Sequence, residues 1–230
     1  MQIKAILFDL DDTLWPLLPL IDHAERMLYG WMQDQVPNVT AKYDIAQLRS
    51  MRSALIPTNP RFRYDLWALR HTALTQIFRE QGEDIGKVDA AMQVFAAARN
   101  QVAMYQDVVP GLIFLKQHVT LGSISNGFAD LTEIGLASHF NVSLAAHQFG
   151  CAKPEPAIFL AACAALNVTP QQTLYVGDDL VCDVQGSQQA GLQSVWMNRA
   201  KLPLRPEFTP DYECHDMQDL IRLVQQNFVS

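Results

Sequence analysis

The feature that most constrains the fold of this chain is an alternation between short apolar runs and longer helical stretches. Four runs have the length and apolar character of strands buried on both faces of a sheet: Ile3–Phe8, Val119–Ser125, Thr173–Gly177 and Gln193–Met197. Helical patterns accompany the later runs: Asp130–Ala137, Pro156–Leu166, Val181–Ala190 and Met217–Asn227. Strands that alternate with helices predict an α/β fold, in which right-handed crossovers connect the strands of a parallel sheet.

The interval between the first and second apolar runs breaks this rhythm. Residues 16 to about 110 contain no convincing strand, and their patterns are helical: Ile21–Gln35, Asp44–Ala54, Tyr64–Gln81 and Ile85–Met104. A parallel crossover needs only about a dozen residues. We therefore predict an inserted all-helical cap domain over residues 16–105, and an α/β core formed by residues 1–15 and 106–230. Pro16, Pro19 and Pro110-Gly111 are interpreted as markers of the two linkers.

Composition narrows the classes of partner. Of the 230 residues, 49% are hydrophobic and 18% are charged, which is typical of a soluble domain with a sizeable core. A net charge of −7 argues against nucleic acid or an anionic membrane as the main partner. The longest apolar run, Ala157–Leu166, is half as long as a membrane span. We therefore expect a cytoplasmic protein that binds neither nucleic acid nor membrane.

The octet FDLDDTLW places three carboxylates at the end of the first apolar run. If the chain stays extended, Asp9 and Asp11 project to one side and Asp12 projects to the other. Two carboxylates in one cleft repel each other unless a proton or a cation lies between them. In the alternative interpretation, Asp12 or Thr13 caps a helix, but that explains only one of the three acids, and Pro16 disfavours such a helix.

A second acidic strand end, GDDLVCD, follows the third apolar run. Asp178 lies at the strand edge, and Asp179 suits the N-cap of the next helix. Asp183 fits a functional site and a solvated surface equally well. Two acidic strand ends side by side would create an oxygen-rich cluster suited to a hard cation such as Mg²⁺.

Two further loops belong to the same predicted edge of the sheet. Ser125, Asn126 and Gly127 form a turn whose hydroxyl and backbone N–H groups can hold an anion, although this tripeptide is also an ordinary turn. Lys153 lies ahead of the helix that starts near Pro156, where a lysine is commonly a solvated charge. Binding sites of parallel sheets form at the carboxyl ends of the strands. Acids for a cation, a hydroxyl turn and a lysine at that edge together predict a site for a phosphoryl group.

These residues resemble the haloacid dehalogenase-like hydrolase superfamily. Its four motifs occur here in order: Asp9-Leu-Asp11-Asp12-Thr13-Leu, Ser125-Asn-Gly, Lys153-Pro, and Gly177-Asp178-Asp179 followed by Asp183. The resemblance covers nearly the whole chain and implies a Rossmann-like parallel sheet flanked by helices, with the helical insertion as a small cap. The stretch GDDLVCDVQGSQQAGLQSVW is most similar to the bacterial flavin mononucleotide and 5-amino-6-(5-phospho-D-ribitylamino)uracil phosphatases.

The resemblance implies a Mg²⁺-dependent hydrolase of phosphomonoesters, with a small phosphorylated metabolite as its partner. Asp9 would be the nucleophile that forms an aspartyl-phosphate. Asp11 would protonate the leaving alcohol and then deprotonate the attacking water. Ser125 and the N–H of Asn126 would bind phosphate oxygens, and Lys153 would pair with the nucleophile and the transferred group.

The same resemblance implies the metal ligands. Asp9, Asp178 and the backbone carbonyl of Asp11 would hold Mg²⁺. Asp179 or Asp183 would complete the outer shell of the metal or orient the lysine. A dication together with the lysine removes the repulsion between a carboxylate nucleophile and a phosphate dianion.

Several alternatives remain within this resemblance. The chain could be a nucleotidase or a phosphoglycolate-type phosphatase, with the same chemistry and another cap. A 2-haloacid dehalogenase is disfavoured, because dehalogenating members lack the second acid and the metal, whereas this chain has Asp11 and Asp178. A non-catalytic phosphate-binding module is also disfavoured, because such a scaffold should lose the nucleophile or the acid.

The predicted cap carries a local excess of positive charge. Residues 41–79 contain seven basic and two acidic side chains, which gives +5 in a chain of net charge −7. In one interpretation the aromatic side chains of this segment form the cap core and its arginines lie in water. In the other, the segment meets an anionic or aromatic substrate. We expect Arg70 and Trp67 to line the substrate cleft.

Overall fold

The apolar runs form one parallel sheet. Within residues 2–227, which the computed structural model describes, there are six strands: β1 Ala5–Phe8, β2 Thr120–Ser125, β3 Val142–Ala145, β4 Thr173–Gly177, β5 Gln193–Met197 and β6 Tyr212–Cys214. Their order is β3-β2-β1-β4-β5-β6, and every neighbouring pair is parallel. The predicted α/β class with a Rossmann-like parallel sheet is confirmed.

The register of the central strands brings their carboxyl ends to one level. Phe8, the last residue of β1, pairs with Ser123 of β2 and with Val176 of β4. All four residues of β1 are fully buried, because strands cover both of its edges and side chains cover both of its faces. The loops after β1, β2 and β4 therefore leave the sheet next to one another.

The chain divides into two compact units. An α/β unit contains the described parts of Met1–Pro16, Ala103–Gly127 and Leu131–Ser230, and a helical unit contains Leu17–Val102 and Phe128–Asp130. The sequence predicted domain boundaries at residues 15 and 105, close to the ends of the long helical segment. That the helical unit acts as a cap over a substrate stays a prediction.

The helical unit is built around one apolar cluster that includes Leu28, Met32, Phe78, Met92 and Phe95. Its α-helices are α1 Leu17–Gln35, α2 Pro37–Lys42, α3 Ile45–Ala54, α4 Leu66–Glu80 and α5 Val88–Arg99. Short 3₁₀ segments join them: Ile56–Thr58, Pro60–Arg63 and Ile85–Lys87.

The α/β unit has helices before and after its strands. They are α6 Val108–Lys116, α7 Leu131–Ile134, α8 Ala146–Phe149, α9 Pro156–Ala165, α10 Gly186–Gln189 and α11 Met217–Asn227, with 3₁₀ segments at Ala137–His139 and Pro170–Gln172 and a π-helical segment at Leu180–Gln185. Ile158, Phe159 and Ala162 of α9 pack with Leu7 and Ile124 of the sheet in one buried cluster. Within the described residues, no helix is both long enough and apolar enough to cross a membrane.

Three details differ from the sequence-based expectations. Pro110-Gly111 was predicted to mark a linker but lies inside α6, because proline is tolerated in the first turn of a helix. The predicted helix 85–104 ends at Arg99, and the N–H of Tyr105 instead donates to the Leu14 carbonyl at 3.1 Å. Strand β3 was not predicted, because it has only four residues and is half-buried.

Candidate active site

Asp9 is the first residue after β1, and its backbone continues the ladder because its N–H donates to the Val176 carbonyl at 2.8 Å. The side chain is 7% exposed. Its Oδ1 lies 2.5 Å from the ammonium nitrogen of Lys153, and its Oδ2 lies 3.4 Å from the Thr13 hydroxyl. The predicted nucleophile is thus a buried carboxylate with one oxygen paired to a cation.

Among the described residues, Lys153 is the only cation that forms an ion pair with Asp9 or Asp183, and it is itself 5% exposed. Its Nζ donates to Asp9 Oδ1, to Asp183 Oδ1 at 2.6 Å and to the Tyr175 hydroxyl at 2.9 Å. The loop of Lys153 is held by Asn126, whose amide accepts from the Lys153 N–H at 2.9 Å and donates to the Lys153 carbonyl at 3.0 Å. The lysine side chain is therefore buried among the acids and does not lie in water.

In the acidic segment after β4, Asp179 and Asp183 have different roles. Asp179 caps the π-helical segment, because its Oδ1 accepts from the N–H groups of Val181 and Cys182 at 2.8 and 2.7 Å. Asp183 is buried one turn later, where its Oδ2 accepts from the Asp179 N–H at 3.0 Å while its Oδ1 meets the lysine. A Cβ on Gly177 would lie only 2.3 Å from the Asp183 carboxyl carbon, so this close approach requires glycine.

Asp178 directly precedes Asp179 and is half-buried. Its Oδ1 is 3.3 Å from the Thr13 hydroxyl, which links it to the loop after β1. Its carbonyl accepts from the indole N–H of Trp196 at 2.8 Å. The two acidic strand ends are therefore in contact through Thr13.

Burial and mutual repulsion raise the pKa values of two acids in this cluster. Burial, followed by the charges of Asp183 and Asp12, raises the pKa of Asp178 to about 7. Burial also raises the pKa of Asp9, with Lys153 acting in the opposite direction. For Lys153, burial alone would lower the pKa, but the carboxylates of Asp183 and Asp9 raise it well above its usual value.

Among the described residues, Asp9, Asp178 and Asp183 form one group that could hold a metal ion, because each offers a carboxylate oxygen within 4.8 Å of the others. When all three are ionised, these carboxylates face one ammonium, and two negative charges are left without a partner charge. An all-oxygen donor set with this charge fits a hard dication such as Mg²⁺. The sequence assigned Asp183 to the outer shell of the metal or to the orientation of the lysine; its Oδ1 contacts Lys153, and one of its carboxylate oxygens lies within 4.8 Å of those of Asp9 and Asp178.

The other two acids of the first motif, Asp11 and Asp12, have different partners. Asp11 is half-buried, and its Oδ1 accepts from the indole N–H of Trp15 at 2.8 Å. Asp12 is exposed and left-handed, with φ of 58°, and its N–H donates to the Trp15 carbonyl at 2.7 Å. Neither Asp12 nor Thr13 caps a helix, because α1 begins only at Leu17. Asp12 thus forms the turn that follows the nucleophile.

The turn after β2, predicted to bind an anion, is closed by a hydrogen bond to its serine. The Ser125 hydroxyl oxygen accepts from the Gly127 N–H at 2.9 Å, and Ser125 is buried at the end of β2. A hydroxyl that accepts one hydrogen bond keeps its own proton for another acceptor. Because Phe8 pairs with Ser123, Asp9 lies level with Ile124, and Ser125 is one position further along the strand.

Arg70 and Trp67 both lie on α4 in the helical unit. Arg70 is buried, stacks on Phe95 with 3.4 Å between its guanidinium carbon and the ring centre, and lies 3.5 Å from Glu25. Trp67 packs against the edge of Phe128 at a ring distance of 5.5 Å. Their contacts belong to the packing of the helical unit, and their role toward a substrate stays a prediction.

Sequence reasoning missed three residues that support the site. Tyr175 was counted only as part of an apolar strand. Thr13 was a possible helix cap and a member of the first motif, with no role of its own in the site. Arg199 carried no signal, yet its Nε donates to the Thr13 carbonyl at 2.8 Å, and its Nη1 lies 3.1 and 3.2 Å from the two carboxylate oxygens of Asp107. Only the fold brings these residues to the acidic cluster.

Comparison with known proteins identifies similar chains. A model of the haloacid dehalogenase-like hydrolase family matches residues 3–191. The chain is 31% identical over 200 residues to the 5-amino-6-(5-phospho-D-ribitylamino)uracil phosphatase YigB of Escherichia coli, covering 85% of this chain and 84% of that protein. It is 28% identical over 240 residues to the glyceraldehyde 3-phosphate phosphatase of Methanopyrus kandleri, covering 98% of each chain.

A solved structure described as a 2-haloacid dehalogenase from Pseudomonas syringae pv. Tomato is also similar. It superposes with a TM-score of 0.92 and 34% sequence identity, and it covers 98% of this chain and 99% of its own. The relatives therefore carry two different descriptions of activity, phosphatase and dehalogenase.

Proposed function

Because the chain belongs to the haloacid dehalogenase-like hydrolase family, we propose that it is a phosphatase that hydrolyses phosphomonoesters of a small metabolite. One observation carries the proposal: a buried lysine and the carboxyl groups of Asp178 and Asp183 surround Asp9, and this acidic group has the donor set that a hard dication requires. The named activities of two curated relatives support it.

In the proposed reaction, a carboxylate oxygen of Asp9 attacks phosphorus, and the ester P–O bond breaks as an aspartyl-phosphate forms. The Asp11 carboxyl gives its proton to the leaving alkoxide. A water then attacks the phosphorus, the Asp11 carboxylate takes the water's proton, and phosphate leaves with Asp9 regenerated. The Ser125 hydroxyl and the Asn126 N–H hold phosphate oxygens, and Lys153 neutralises negative charge beside Asp9.

Mg²⁺ is the proposed cofactor, and when bound it would neutralise charge on the phosphate oxygens. Asp9, Asp178 and Asp183 supply the carboxylate oxygens of the group, and the Asp11 carbonyl is the further ligand implied by the family resemblance. Asp179 is proposed to act only by capping the segment that carries Asp183.

The proposed substrate is a ribityl phosphate such as flavin mononucleotide or 5-amino-6-(5-phospho-D-ribitylamino)uracil, in line with the name of the Escherichia coli relative. The helical unit is proposed to act as the cap that selects it. Arg70→Ala, if it stays folded, should raise KM for the preferred substrate more than KM for p-nitrophenyl phosphate. Equal effects on both substrates would exclude Arg70 from specificity.

A dehalogenase is the second candidate, because the Pseudomonas syringae structure is 34% identical to this chain. Halide is a leaving group that needs no proton, so a dehalogenase would have no use for Asp11 as an acid or for an acidic group that holds a metal. The acidic group is present, which favours phosphate.

One set of assays separates the two candidates. Purified protein should hydrolyse p-nitrophenyl phosphate with Mg²⁺, stop with a chelator, and release no chloride from 2-chloropropionate. Asp9→Asn should abolish hydrolysis while the circular dichroism spectrum is unchanged. Chloride release without phosphatase activity would reverse the assignment, and phosphatase activity in Asp9→Asn would overturn the mechanism. A panel of ribityl, nucleotide, sugar and glycolate phosphates then identifies the substrate.

A further inference from the structure

Tyr175 places a hydroxyl in the middle of the buried cluster. It belongs to β4, it is 1% exposed, and its ring packs against Phe159 at a centroid distance of 4.9 Å. Its hydroxyl oxygen lies 2.9 Å from Lys153 Nζ and 3.3 Å from the Ile124 carbonyl oxygen. No step of the proposed reaction uses this residue.

The hydrogen bonds around Lys153 account for every proton of its ammonium group. An ammonium has three N–H donors and no acceptor. Its three acceptors are Asp9 Oδ1 at 2.5 Å, Asp183 Oδ1 at 2.6 Å and the Tyr175 hydroxyl at 2.9 Å. Without Tyr175, one N–H of a fully buried cation would have no partner, and the group could rotate about its Cε–Nζ bond.

The direction of the Tyr175 hydrogen bonds follows from the same count. A phenol has one O–H, and an ammonium can only donate, so the Tyr175 oxygen accepts from Lys153. Its own proton is then free to point to the Ile124 carbonyl, which directly precedes Ser125. Tyr175 thus connects the lysine with the strand that ends at the predicted phosphate-binding turn.

We propose that Tyr175 is a positioning residue that holds the Lys153 ammonium in the one orientation that serves both Asp9 and Asp183. Its effect on catalysis rests on the proposed function, whereas its hold on the lysine does not. Loss of one hydrogen bond to a charged group, with the ring retained, should slow the attack by Asp9 about tenfold.

The first test concerns the lysine alone and does not depend on activity. In ¹H–¹⁵N spectra of the full chain, the Lys153 ammonium is assigned by its absence in Lys153→Met. Tyr175→Phe should exchange these protons with water several-fold faster than the unsubstituted protein does. The matched control is Tyr29→Phe, which removes a hydroxyl bonded to the Thr40 and Tyr43 carbonyls in the helical unit. Equal exchange in Tyr175→Phe and Tyr29→Phe would overturn the proposal.

The second test measures single turnovers of p-nitrophenyl phosphate with Mg²⁺. Positioning predicts that Tyr175→Phe lowers the rate constant of p-nitrophenolate release about tenfold while its amplitude per protein is unchanged. An unchanged rate constant, or a loss confined to the amplitude, would overturn the proposal, since a purely structural role changes only the folded fraction. If the unsubstituted protein hydrolyses no phosphate ester, the proposed function fails, and the exchange experiment still decides whether Tyr175 holds Lys153.

Discussion

Asp178 is the least compensated acid of the site. Its side chain accepts from the Thr13 hydroxyl and from its own backbone N–H, and among the described residues it forms no ion pair. Burial and the charges of Asp183 and Asp12 raise its pKa from 3.8 to about 7. An ionised carboxylate that is buried beside other negative charges lowers the stability of the metal-free fold. A bound cation would remove this repulsion.

Asp178→Asn should therefore stabilise the metal-free protein and inactivate the enzyme. The pKa of Asp178 is higher in the folded chain than in the unfolded chain, so ionisation disfavours folding, most strongly above pH 7. We expect a gain in unfolding free energy of about 2 kcal/mol at pH 8, below the roughly 4 kcal/mol of the full shift, that shrinks toward pH 4. Mg²⁺-dependent activity should fall roughly 100-fold.

Denaturant unfolding in a chelator, at several pH values, measures the gain from Asp178→Asn. Asp34→Asn, on the exposed side of α1, is the control and should change neither stability nor activity. A pH-independent effect, or a loss of stability at pH 8, would show that Asp178 is not held against repulsion.

At the scale of elements, Asn126 joins two loops that come from different parts of the chain. Its amide pairs with both backbone groups of Lys153, at 2.9 and 3.0 Å. The turn after β2 and the loop before α9 are therefore linked by two hydrogen bonds. The backbone N–H of Asn126 is the proposed phosphate ligand, while its side chain sets the position of the lysine.

Asn126→Ala keeps the proposed N–H ligand and removes the amide pair. We expect kcat for p-nitrophenyl phosphate to fall about tenfold and the unfolding free energy to fall by about 1–2 kcal/mol. Asn198→Ala is a matched control, because Asn198 pairs in the same way with the backbone of Leu202, at 2.8 and 2.9 Å. Equal losses of kcat in both variants would mean that Asn126 acts only through stability.

At the scale of the whole molecule, charge is distributed unevenly. The chain carries −7, yet residues 41–79 carry +5. In the helical unit, the carboxylate of Glu25 on α1 forms ion pairs with three arginines. The nitrogen–oxygen distances are 2.5 Å to Arg49 and 3.0 Å to Arg52, both on α3, and 3.5 Å to Arg70 on α4. No residue of α3 is fully buried, and the helix is attached by these ion pairs together with Leu48 and Met51, which pack against the apolar cluster.

Glu25→Gln should lower the unfolding free energy by about 2–3 kcal/mol at pH 7, because three guanidinium groups would remain around a neutral side chain. Burial alone would raise the pKa of Glu25, but the arginines hold it below 4.5. The stabilisation by Glu25 is therefore complete above pH 4.5 and is lost as the pH falls through the lowered pKa. Denaturant unfolding should show that the difference between the two proteins shrinks in that acidic range.

The exposed Glu80 of α4 provides the control for Glu25→Gln. Glu80→Gln should leave the unfolding free energy within about 0.5 kcal/mol of that of the unsubstituted protein at every pH. A difference between Glu25→Gln and the unsubstituted protein that persists below the lowered pKa would mean that Glu25 acts through packing and not through its charge.

The sequence by itself determined the elements whose signals are local. Thr173–Gly177 and Gln193–Met197 are strands over the predicted residues, and Met217–Asn227 is the predicted helix, because period and apolar run length depend only on near neighbours. The carboxyl ends of β1, β2 and β4 meet as the parallel pattern predicted, and with them Asp9, Asn126, Lys153 and Asp178.

The tertiary structure decided which of the polar residues touch. Asp179 and Asp183 were equal candidates for the lysine, and only the one-turn offset of the π-helical segment gives Asp183 that place while Asp179 caps. Tyr175 was interpreted as an apolar strand residue, because the pattern of a buried strand does not show where a tyrosine hydroxyl finds its partners. Partners distant along the chain are chosen by strand order and by the burial of charge, which a local pattern does not contain.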